Sequence, residues 1–130
     1  MSNVNAVITA AARQKMVQAR AGDLVGGLPA VTKMAFGNGG VDAGGTPITP
    51  SPTATALGNE LLRKNISGHT YPTTTTCRYS CTLTESELAG QNINEVALVD
   101  ADGDLVAIKT MTNKGKDSDL EMTVTIDDIF

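Results

Sequence analysis

The chain has 130 residues, 41% of them hydrophobic, and a formal net charge of −4. Such a length makes one domain, 1–130, with a core of modest size. The charge makes nucleic acid and anionic membrane poor partners, and no apolar run approaches the ~20 residues that insert into a bilayer. Phe36, Tyr71, Tyr79 and Phe130 are all the aromatic residues, and tryptophan is absent. The core is therefore expected to be aliphatic, and stacking platforms for bases or sugars are nearly excluded. Charge is also uneven: residues 1–76 carry six Lys/Arg and three Asp/Glu, whereas residues 77–130 carry four and eleven. A head-to-tail match between copies is conceivable, with solvated surface the simpler reading. The opening MSNVNAV has neither a basic nor an apolar leader region, so no signal peptide is expected.

In chain order, Val4, Val7, Ile8, Ala11, Ala12, Lys15, Met16 and Ala19 follow a three-to-four spacing. This predicts a helix over 3–21, started by Asn3 or Asn5 and stopped at Gly22. Its alanine-rich stripe can pack closely against its own domain or against another subunit. The β-rich part, 31–130, begins with a strand over Val31 to Phe36, broken by Gly37, Asn38, Gly39 and Gly40. A long loop through Pro47, Pro50 and Pro52 follows, with the course of an ordered Ω-loop or a functional segment. Ser51 is placed to cap one helical turn over Thr53 to Leu57.

Glu60 to Ile66 reads as a strand whose alternation is spoiled by Leu61-Leu62, and Ser67 to Thr76 as a polar connection. Cys77, Tyr79, Cys81 and Leu83 alternate with polar residues, which predicts a half-buried strand. Its two cysteines, ~13 Å apart along a strand at ~3.3 Å per residue, exceed the ~7 Å reach of a disulfide. They read as small hydrophobes on one face. Thr84 to Glu87 fits a capping box and predicts a short helix. Ile93 to Val99 and Leu105 to Met111 are apolar strands joined by the acidic turn Asp100 to Asp104. A charged turn, 113–119, and a last alternating strand over Leu120 to Asp127 complete an α+β architecture: an N-terminal helix, then a mainly antiparallel sheet or small sandwich with a long Gly/Pro loop.

Candidate chemistry is sparse. Asp100, Asp102 and Asp104 match the first three ligands of a calcium loop, but Leu105 stands where that loop needs glycine, and Met111 where it needs glutamate. They remain weak metal candidates. Gly37 to Gly40 lacks the Lys-Ser/Thr of a phosphate loop. His69 is the single histidine and has no acid or cysteine at catalytic spacing. Glu60 and Arg63 fit a surface ion pair. No nucleophile has a base, and nothing marks a cofactor loop, so neither catalysis nor a cofactor is expected.

Two segments carry a family resemblance: MAFGNGG with TPITPSPTATALGNELLR, and INEVALVDADGDLVAI. Together they resemble the N-terminal domain of phage tail-collar fibre proteins. Met34, Gly37, Gly39, Pro50, Thr55, Leu57, Asn59, Glu60 and Arg63 fall on the first part of that pattern. Glu95, Val96, Leu98, Asp100, Gly103, Asp104, Leu105 and Ala107 fall on the second. The resemblance implies a structural protein, not an enzyme: a fibre-base or baseplate adaptor of a phage tail or phage-derived contractile injection particle. It implies other tail and baseplate proteins as partners, a homo-oligomer with a trimer favoured, and synthesis in a bacterial host cytoplasm. The family's shaft and receptor-binding tip have no counterpart here, so the expectation is an attachment unit without a distal fibre. A small ligand- or calcium-binding β module is the alternative.

Overall fold

The computed structural model describes residues 5–130. Two antiparallel sheets stack face to face. The five-stranded sheet has the order β1 (Ala6–Ile8), β7 (Leu105–Gly115), β6 (Asn92–Asp100), β2 (Val31–Gly37), β3 (Glu60–Asn65); the three-stranded sheet has the order β4 (Gly68–Thr73), β5 (Thr76–Leu83), β8 (Met122–Ile129). One helix, α1 (Ala10–Arg20), lies between β1 and β2 in the chain. The α+β expectation holds, with strands dominating.

Alternation along the strands sorts side chains onto two faces. Met34, Phe36, Val96, Leu98 and Ala107 meet Cys81, Leu83 and Ile126 between the sheets. Ala35, Ala97, Val99 and Ile108 occupy the opposite face of the larger sheet, where Leu57 and Ala54 of the long loop cover them. Strand β6 is thus buried on both faces, which is why it reads as an unbroken apolar run. The covering loop is ordered: Ile48 N donates to Gly40 O at 2.8 Å, Thr110 Oγ1 to Ile48 O at 2.7 Å, and Ala10 N to Pro52 O at 2.7 Å. At its middle, Ser51 accepts from Thr53 N at 3.3 Å, but the chain makes a single turn there and not a helix.

Several expectations are corrected. The helix expected over 3–21 starts at Ala10, because Ala6–Ile8 pairs with Ile108 and its neighbours as a strand. Its cap is Thr9, not Asn5; Asn3 lies outside the described residues. The Thr9 Oγ1 accepts from Ala12 N at 3.1 Å and donates to Leu105 O at 2.6 Å, so one buried hydroxyl caps the helix and ties it to β7. The other end closes where Gly22 suggested: Gly22 N donates to Ala19 O and Asp23 N to Gln18 O.

The polar connection 67–76 contains strand β4, which is exposed along most of its length and carries Pro72, as an edge strand tolerates. The chain crosses between sheets at a sharp corner, with Ile66 N bonded to Thr32 O and Ser67 N to Ser80 O. Cys77 is only half-buried, while Cys81 is buried; both are free. Thr84 to Glu87 makes a hydrogen-bonded turn and not a helix. The Glu87 carboxylate accepts from Thr84 N at 2.9 Å, but Leu88 at φ 53° turns the chain away. The last strand starts at Met122, leaving Leu120 exposed.

Strand β8 continues its inward alternation past Ile126 to Asp128, opposite Cys77. Asp128 is 7% exposed, and its Oδ1 has no hydrogen-bond partner among the described residues. Burial pushes this carboxyl above the ordinary carboxylate range.

Two outcomes follow from these contacts. Thr9→Val keeps the buried shape but removes both hydrogen bonds of the hydroxyl. It should cost about 1–2 kcal/mol, read as a lower urea midpoint at unchanged slope. Asp128→Asn should raise the melting temperature at neutral pH. A carboxyl whose folded pKa is raised destabilises the fold as pH climbs above its unfolded value, about 4. The advantage of asparagine should therefore shrink as pH falls towards 4 and vanish below it, as thermal melts across pH will show.

Candidate functional site

The two motif segments meet around one carboxylate. Strand β2 pairs with β3 on one side and β6 on the other, with Gly37 opposite both Glu60 and Glu95. Glu95, 2% exposed, points into the start of the glycine loop. Its Oε2 accepts from Gly39 N at 2.7 Å and Asn59 N at 2.8 Å, and its Oε1 accepts from Gly58 N at 2.7 Å. Three backbone donors from the two ends of the long loop thus converge on one side chain. Beside it, the Asn94 side-chain Oδ1 accepts from Gly40 N at 2.7 Å, and its Nδ2 donates to Asn38 O at 3.1 Å.

The glycines are required by closeness. A Cβ on Gly39 would lie 2.6 Å from both Asn59 N and Gly58 C, and backbone atoms cannot yield as a flexible side chain would. Leu57, just before Gly58, turns inward onto Ala35 and Ala97, and Pro50 of the same loop is also buried. Thr55 stays exposed.

Glu60 and Arg63 do pair, through a feature hidden in the sequence. Residues three apart on a regular strand face opposite ways. Here the register slips between Phe36 and Gly37, so Leu61 is the bulged residue, and Arg63 and Glu60 oppose Ala35 and Gly37 on one face. The Arg63 guanidinium reaches Glu60 twice, at 3.1 and 2.9 Å, and donates from Nη1 to Gly103 O at 3.1 Å. The Leu61-Leu62 interruption is that bulge.

The acidic turn is held by its own backbone amides and by a lysine. Asp100 Oδ1 accepts from Asp102 N at 3.0 Å and Asp104 N at 3.1 Å, while Gly103 takes φ +87° to close the hairpin. The carboxylates of Asp100, Asp102 and Asp104 lie within 4.8 Å of one another. Lys15 of α1 fills their centre, its Nζ 2.7, 3.1 and 2.8 Å from the three. Burial alone lowers the lysine's pKa, but the three aspartates outweigh it and hold the ammonium well above its ordinary value. A protein cation occupies the position that a metal would take.

His69 lies exposed on β4, its ring edge-on to Tyr71 at 5.5 Å and tilted to Tyr79 at 6.0 Å. Burial pushes the Cys81 thiol up, away from the reactive thiolate. Lys116 is a clamp that sequence reasoning missed: it is buried in the charged turn, with Nζ donating to Glu85 O at 2.9 Å and Asp117 O at 3.0 Å. The contacts of these motif residues close loops and join elements, which is structural work.

The family model described as phage tail-collar fibre protein, N-terminal, matches residues 1–126. The chain belongs to that family. Its membership makes it a phage tail structural protein, in a family with no known catalysis, and implies a virion location. No curated protein and no solved structure matches the chain significantly.

Removing the Glu95 carboxylate leaves three donors without their acceptor. Glu95→Gln, which keeps the size but presents one N–H₂ to an N–H, should cost about 1–3 kcal/mol, and Glu95→Ala more. Hydrogen exchange at Gly39, Gly58 and Asn59 should accelerate in both variants, ahead of the exchange of β6.

Proposed function

We propose that this domain is a fibre-base or baseplate adaptor of a phage tail or phage-derived contractile particle, acting through contacts with other tail proteins. Family membership carries the reading. The distribution of contacts supports it. The motif residues are engaged within the fold, while α1 keeps a free outer side, with Ala12 its one buried residue and Val17 70% exposed. Further unburied apolar groups, Val25, Leu28 and Phe130, are available to a neighbouring subunit. Self-association, with a trimer as the favoured state, belongs to the same proposal, and α1 and the last strand are its contact surfaces. No helix among the described residues is long and apolar enough to cross a membrane.

The calcium-binding form of the alternative, a small ligand- or calcium-binding module, would require the aspartate triad to release Lys15. Its three contacts at 3.1 Å or less favour the adaptor reading.

Particles purified from a strain lacking this gene should show missing or detached fibres by electron microscopy, with restoration on complementation. Intact baseplates carrying all fibres would refute the adaptor role.

A further inference from the structure

The three-stranded sheet, β7 and α1 do not close against one another at the Asp100 end of the molecule. A cavity of about 300 Å³ remains there, at the lower end of the ~300–1,000 Å³ range of ligand pockets. Its walls are apolar: Ile8, Met16, Val31, Tyr79 and Val106. Leu28 and Phe130 form an exposed rim, 54% and 65% accessible. Set into this apolar wall is the carboxyl of Asp128.

A buried carboxyl with an unpartnered oxygen calls for a cause. Asp128 stands at an inward strand position that any aliphatic side chain would fill at less cost. Among the described residues nothing donates to that oxygen: the position directly across the strand pair is Cys77, and Lys15, the cation on the same cavity wall, is held by Asp100, Asp102 and Asp104. The charge of the chain's own amino terminus acts on Asp128 but does not offset its burial. Half a turn about the Cβ–Cγ bond exchanges the two oxygens, so either can face the cavity. The surroundings also select a sign. Of the neighbouring turn only Asp100 and Lys15 line the cavity, and they pair with each other, which leaves Asp128 as the acidic group of the wall. Lys15 shows that this end of the molecule already seats an ammonium on a flexible alkyl stem.

We propose that this cavity is a docking pocket for a lysine side chain of a partner protein, its four methylenes lying along the apolar wall and its ammonium on Asp128. The stem gains by burial against Val31, Met16 and Val106, and the head gains a charge-assisted hydrogen bond to a carboxyl that is itself largely shielded from water. The pocket's chemistry stands independently of whether the partner is a tail protein.

The probe is n-butylammonium chloride, a lysine side chain without its backbone, titrated into the full-length chain at neutral pH and followed by NMR. Saturable shifts of the Asp128 carboxyl carbon and of the Tyr79 and Val31 signals are expected. The neutral analogue n-butanol should bind about tenfold more weakly, the difference expected for one charge-assisted hydrogen bond. Asp128→Asn, whose fold is checked by its unchanged spectrum elsewhere, should lose the preference for the ammonium. The proposal is overturned if n-butanol binds as well as the ammonium, if the shifts are confined to exposed acids such as Asp119 and Glu121, or if no saturation is seen. Should the variant fail to fold, the comparison of ammonium with alcohol on the native chain still decides.

Discussion

Everything on one face of the larger sheet depends on the Glu95 carboxylate. A loop of more than twenty residues between β2 and β3 has its ends close in space, and something must satisfy the amides that crowd there. Gly39, Gly58 and Asn59 all direct their N–H groups to Glu95. An ionised acceptor is suited to three donors at once, because it has lone pairs enough and no hydrogen of its own to misplace. The closeness that lets the donors converge also excludes side chains at Gly39 and Gly58. The glycines, which resemble a phosphate loop in composition, surround an anion after all; it is one that the fold supplies.

With its ends pinned, the loop becomes a lid over the second face of the sheet. Leu57 packs on Ala35, Ala97 and Ile108, and a buried leucine contributes about 1.5–3 kcal/mol. The small residues at 35 and 97 let the loop approach the sheet closely. A chain of this length has little core to spare, and covering the second face gives it two apolar layers around β6. The loop also fixes the helix, since Pro52 accepts from the first amide of α1. Glu95 therefore acts at a distance, through the loop, on where the helix starts.

Much of this was legible in the residues. Strands with clean alternation, or with apolar runs long enough to be buried twice, were placed to within a residue or two: β2, β5, β6 and β8. β7 was found from its apolar run but continues four residues past Met111 to Gly115, through the start of what reads as a charged turn, because Thr112 to Gly115 are exposed and polar. What failed to show had no periodic signal of its own. β4 is an exposed edge with Pro72 and a threonine run, so neither its composition nor its pattern separates it from a loop. β1 was absorbed into the helix because Val7 and Ile8 suit both periods, and the deciding contact, with Ile108, is a hundred residues away. At the site, Glu60 and Arg63 were named as a pair, but the bulge at Leu61 that puts them on one face was visible only as broken alternation. Lys15 was assigned to a helix stripe, since nothing local foretells three aspartates eighty-five or more residues on. Asp128 had a signal: the count by twos from Met122 reaches it.

The helix shows how the same contacts divide the molecule into a fixed side and a free one. Thr9, Ala12 and Lys15 anchor its first half to β7 and the acidic turn. On the other side of the helix Arg13, Val17 and Arg20 are exposed. A helix of eleven residues has little stability on its own. It persists because capping and ion pairs act at one end and the turn at Gly22 and Asp23 closes the other. The result is a rigid projection that contributes almost nothing to the core. Under the adaptor role proposed above, this is the element that would be presented to a neighbour, with its orientation secured by the lysine that the acidic turn encloses.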